Sequence, residues 1–148
     1  MKRLLITAAL LAYQSLAIAE QPTDITVYRS ASCSCCGKWL AHLKDHNFKV
    51  QDQVLDNVDA IKQQYAVSAE MASCHTAIVN GYVIEGHVPA ADINKLLHLK
   101  PQVAGLAVPG MPSGTPGMEM GGHQDAYNVI SFNKTNNYDI FNHYDAKP

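Results

Sequence analysis

The chain has no basic patch, no apolar run long enough to cross a bilayer, no internal repeat and no proline between Pro22 and Pro89. The first lack argues against a nucleic-acid partner. With residues 1 to 19 set aside as a leader, the 11 basic side chains become 9 against 13 acidic ones, a net charge of −4. No cluster of Lys and Arg remains to track a phosphate backbone. The second argues against a membrane anchor, because the apolar run from Leu4 to Tyr13 is broken by Gln14 and Ser15 and falls short of the ~20 residues a span requires. Neither a Ser/His/Asp arrangement nor a Gly-rich phosphate loop is present.

What the first 19 residues do carry is Lys2 and Arg3, an apolar stretch, and Ala17-Ile18-Ala19, the small-x-small pattern of a cleavable secretory signal. Cleavage after Ala19 predicts a periplasmic protein of 129 residues that has no membrane segment. That length suits one domain and can bury a core without disulfide staples, so the four cysteines, Cys33, Cys35, Cys36 and Cys74, need another explanation. Three of them lie within four positions, where neighbours are poorly placed to bridge one another without strain. The sequence therefore allows at most one ordinary structural bridge, from the cluster to Cys74.

The pattern of apolar residues gives the setting. Ile25 to Arg29 alternates as a strand, and Gly37 to Lys44 has helical spacing. Phe48 to Val54 alternates again, and Val58, Ile61 and Tyr65 mark a second helix over 57–65. Thr76–Val79 and Tyr82–Glu85 flank Asn80-Gly81, a two-residue hairpin signal. Pro89 opens a third helix through Ile93, Leu96 and Leu97. The order β-α-β-α-β-β-α is that of a thioredoxin-like α/β core, predicted over residues 20–100. A Gly/Pro/Met-rich loop follows over 101–122, where regular structure is disfavoured. A β-hairpin formed by Tyr127–Phe132 and Tyr138–Tyr144 closes the same domain over 123–148.

This arrangement puts the cysteines at a strand-to-helix junction. There the helix N-terminus favours thiolate over thiol, the form that both attacks disulfides and binds metals. Cys33 and Cys36 form a C-x-x-C pair. Cys74 stands directly before the third strand, where thioredoxins and glutaredoxins place a cis-proline against that pair, and no proline is available here. A thiol-disulfide oxidoreductase needs that face open to substrate, whereas a metal site gains a ligand from Cys74 and another from Cys35. Zn²⁺ in a closed site would normally use two separated C-x-x-C pairs, and the crowded C-x-C-C suits several Cu(I) ions bridged by soft thiolates better. Met111, Met118 and Met120 in the polar loop add thioethers, and His75 and His123 offer imidazoles nearby in sequence. His87 either caps the third helix or faces the site.

Four blocks carry a family resemblance: Cys33-Ser34-Cys35-Cys36-Gly37-Lys38-Trp39, Cys74-His75-Thr76-Ala77, the stretch from Gly81 to Ala90, and the stretch from Gly105 to Pro112. In these the chain resembles the CopG-like periplasmic copper-resistance proteins, formerly a metal-binding domain of unknown function. The resemblance implies a thioredoxin-like fold that binds copper through cysteines and takes part in copper redox handling. Carried over residue by residue, it nominates Cys33, Cys35, Cys36 and Cys74 as ligands, with Met111, Met118 and His87 beside them. Another periplasmic copper-handling protein is the implied transfer partner.

Overall fold

The computed structural model describes residues 21–135 and 137–148; the leader expected over residues 1 to 19 lies outside them. It is a mixed α/β structure of one seven-stranded sheet and three helices, in the order β1(Thr23–Ser30) α1(Cys36–Asp45) β2(Phe48–Leu55) α2(Asp59–Gln64) β3(His75–Val79) β4(Tyr82–Glu85) α3(Ala90–Leu99) β5(Gly105–Ala107) β6(Tyr127–Phe132) β7(Tyr138–Tyr144). The strands lie in the order β2-β1-β3-β4-β5-β6-β7. β1 runs parallel to β2 and antiparallel to β3, and β4 runs parallel to β5. Among the described residues no helix is long and apolar enough to cross a membrane.

The patterns in the sequence account for most of these elements. Helix α1 buries Cys36, Trp39, Leu40 and Leu43, which recur at one-turn spacing and so form a single apolar stripe. The β3–β4 hairpin turns on Asn80 and Gly81, both at positive φ (47° and 84°), as a two-residue turn matched to strand twist demands. Helix α2 is shorter than expected. The segment expected to be irregular contains the three-residue strand β5, too short for alternation to reveal. Its Gly105 is required by contact, since a Cβ there would lie 1.8 Å from the Val83 carbonyl oxygen.

The sheet has two covered faces, because successive side chains on a strand point opposite ways. On one face Ala77, Val79, Ile84, Leu106 and Val129 join Trp39, Leu43, Ile93 and Leu96 in the main core. On the other, Val83, Ala107 and Phe132 pack with Met71 and Tyr65 in a smaller cluster. The C-terminal hairpin is tied to α3 by buried Asp92, which accepts hydrogen bonds from Asn142 Nδ2 at 2.8 Å and the Tyr144 hydroxyl at 2.7 Å.

Candidate metal centre

The end of β1 delivers the chain into Ala31–Cys35, and Cys36 opens α1. The expectation that the cluster would not bridge internally is corrected here: Cys33 and Cys36 form a disulfide, with Cα atoms 5.5 Å apart, while Cys35 and Cys74 are free. Three-residue spacing across the turn into the helix brings the two Cα atoms within ordinary bridging range. Adjacency of the sulfurs in sequence was a poor guide, because the turn folds the chain back on itself.

Cys74 approaches from the sheet, its sulfur 3.9 Å from that of Cys36, while Cys35 Sγ lies 3.7 Å from Cys33 Sγ. Two imidazoles complete the group. His75 Nδ1 is 3.3 Å from Cys36 Sγ and 3.2 Å from Cys74 Sγ, and His87 Nε2 is 3.3 Å from Cys74 Sγ. Potential donor atoms thus fall into two sets, Cys33/Cys36/Cys74/His75 and Cys35/Cys74/His87, each with its atoms within 4.8 Å of one another. Cys74 belongs to both.

Burial dominates the electrostatics of the group. Burial, then the neighbouring Cys35, pushes the Cys74 thiol up to about 11, so a cation is needed to hold it as thiolate at neutral pH. Burial holds His75 well below the usual imidazole range, with His87 and Lys62 adding to the effect, and burial also lowers His87. Both rings are therefore neutral, the state in which imidazole is a ligand. His87 Nδ1 donates to the Pro116 carbonyl at 2.8 Å, leaving the Nε2 lone pair on the Cys74 side, the orientation that outer hydrogen bonds give to ligand histidines. His75 Nε2 is buried without a hydrogen-bond partner, beside the Trp39 ring at 4.3 Å between centroids.

The loop over the site is fixed by main-chain contacts. Gly110 N–H bonds the Ala72 carbonyl at 3.4 Å, and the Ser73 hydroxyl donates to the Gly110 carbonyl. Gly117, at φ 88°, packs so closely that a Cβ would meet Trp39 N at 2.7 Å. Met111 on this loop is 54% exposed, Met120 is exposed, and Met118 is half-buried. His123 pairs with Asp125 on the surface at 3.1 Å. The structure thus gathers the four cysteines and His87 and adds His75, which sequence reasoning offered only as a neighbour. The signal was its place beside Cys74, and its orientation depends on which face of β3 is buried.

A soft donor set of sulfurs and neutral imidazoles at a strand-to-helix junction defines a class of small α/β proteins suited to soft metal ions. The chain belongs to the copper resistance protein CopG family. Two solved structures, "Copper resistance protein copG" in forms 2 and 1, are similar to it at 44% and 45% sequence identity, each with a TM-score of 0.80 over 84% of this chain and 99% of that one. A family model described as "Protein of unknown function, DUF411" matches residues 71–118, and no curated protein matches.

Proposed function

We propose that this protein serves copper resistance and homeostasis by binding more than one Cu(I) through Cys33, Cys35, Cys36 and Cys74. His87, Met111 and Met118 assist, and His75 joins them. One observation carries the reading: the two donor sets share a single sulfur, that of Cys74, and a thiolate can bridge soft ions. The sheet order β2-β1-β3-β4, with C-x-x-C at the end of β1, supports a thioredoxin-like core over 20–100. The loop 101–122 and the hairpin 123–148 are read as parts of the same domain. The leader expected over 1–19 would direct the protein to the periplasm, where another copper-handling protein would receive its cargo.

Anaerobic titration of the reduced mature chain, with metal quantified and X-ray absorption recorded at the copper edge, tests this. Stoichiometry above one with sulfur-dominated coordination is expected, and Cys35→Ser should lower it. A stoichiometry of one that Cys35→Ser leaves unchanged would reject the multinuclear site. A second reading, a thiol-disulfide oxidoreductase, is favoured by the Cys33–Cys36 bridge itself; catalytic turnover of a disulfide substrate without copper would select it.

A further inference from the structure

Glu85 is fully buried on β4, on the face opposite the main core, where it sits across from Thr76. Its Oε1 accepts hydrogen bonds from Lys62 Nζ of α2 and from Ser73 N–H, the latter at 2.6 Å, and its Oε2 accepts from the Thr76 hydroxyl at 2.6 Å. Lys62 Nζ also donates to Thr76 Oγ1 at 3.1 Å. Burial raises the Glu85 carboxyl above its ordinary value, while Lys62 and the two hydrogen bonds oppose that rise.

A buried ion pair is weak evidence of stabilisation, because an apolar pair of similar volume often serves as well. What an apolar pair could not do is receive the Ser73 N–H. The stretch from Ala72 to Cys74 belongs to no strand or helix and Ser73 is half-buried, so that N–H has no ladder partner and loses part of its access to water, which makes its acceptor count. Gly86, at φ 72°, reinforces the same support, since a Cβ there would lie 2.6 Å from the Ser73 side chain. The residue held from both sides is the one that precedes Cys74.

We infer that Glu85, with Lys62 as the counter-ion that keeps it charged, is a positioning residue: by accepting Ser73 N–H it fixes the Cys74 sulfur between Cys36, His75 and His87 before metal arrives. This rests on the copper-binding reading for its purpose but not for its test. Two double variants differ at position 85, in whether a polar group is offered to Ser73 N–H and to the Thr76 hydroxyl. Lys62→Met/Glu85→Gln keeps an oxygen there without stranding a charge; Lys62→Met/Glu85→Leu removes it.

In reduced, copper-free protein, the rate of Cys74 alkylation relative to Cys35 is read by peptide mass spectrometry, with chemical unfolding as a check on folding. The Leu variant should show a rise of about tenfold or more in that ratio and a loss of about 10–100-fold in Cu(I) affinity, and the Gln variant should retain most of the wild-type behaviour. A folded Leu variant with the wild-type ratio overturns the inference, as does an equal change in both variants. If the ratio changes as expected while wild type takes up no Cu(I), the positioning role stands and the copper reading fails. Wild-type protein gives a check that needs no variant: Ser73 N–H should exchange as slowly as the amides of β3, and exchange at the rate of an exposed loop overturns the inference.

Discussion

Cys33, Cys35 and Cys36 come from a single turn of chain at the start of α1, whereas Cys74, His75 and His87 are brought in from the sheet side by β3 and the segment after β4. On the helix side the spacing is set by a few local dihedrals, and Cys33 and Cys35 remain partly open to solvent. On the sheet side the supports come from residues distant in sequence: His87 is held by Pro116, and Ser73, which precedes Cys74, by Glu85 and Gly110. The helix side is thus free to change covalent state, and the sheet side is preset. In the proposed copper site, redox control would fall to the helix side and ligand geometry to the sheet side.

The largest expected effect follows from the helix side. Cysteine ligands must be free thiolates, so protein with a mass-verified Cys33–Cys36 disulfide should bind Cu(I) more weakly than the reduced form, by on the order of 100-fold or more. Anaerobic competition with a Cu(I) chelator measures this, and equal uptake by the two forms would show that the bridge is no gate.

Two glycines sharpen the contrast in stability. Gly86 on the sheet side has φ 72° and would place a Cβ 2.6 Å from Ser73 and 2.7 Å from the Val108 carbonyl. Gly86→Ala should therefore destabilise by about 2–3 kcal/mol. Gly37 in α1 has open space around the same position, and Gly37→Ala should stabilise by about 0.5–1 kcal/mol. Urea unfolding of the two variants should give shifts of opposite sign.

What the sequence revealed follows the same division. The C-x-C-C run, the Asn80-Gly81 turn and the apolar stripe through Trp39 are local patterns, and each could be read directly. The bridge inside the cluster was misjudged because it depends on how tightly the chain turns into α1. His75, Lys62 and Glu85 carried no local signature, since His75 faces the sulfurs, and Thr76 the Lys62–Glu85 pair, only through the pairing of β3 with its neighbours. Strand β5 was hidden by its length and by a glycine that the approach of Val83 requires.

A smaller effect concerns acidity. His42 is held below the usual imidazole range, chiefly by burial and then by His46, and its Nε2 accepts the Ala90 N–H at 3.1 Å. His75 and His87 shift the same way. A folded state that prefers neutral imidazole keeps its full advantage above the unfolded value near 6.5 and loses it as pH falls. The unfolding midpoint of copper-free protein should therefore drop between about pH 6.5 and pH 5. His42→Gln, which retains an acceptor for Ala90, should flatten part of that drop, and an unchanged profile would remove His42 from the account.

The smallest effect is expected where the loop meets the cluster. Met111→Leu and Met118→Leu nearly conserve volume and apolar character, so together they should change folding stability by less than ~1.5 kcal/mol. The Gly110 main-chain bond and the close packing of Gly117 on Trp39 would be untouched, and the loop should keep its path. Deleting two thioethers from a donor set that already holds four sulfurs and two imidazoles should lower Cu(I) affinity by less than about tenfold. If exposed Met111 takes part at all, transfer to a chelator should be affected more than binding. Stopped-flow transfer kinetics, run beside equilibrium competition, separates the two. If the double variant matches wild type in both, the loop holds His87 through Pro116 and contributes nothing through its sulfurs.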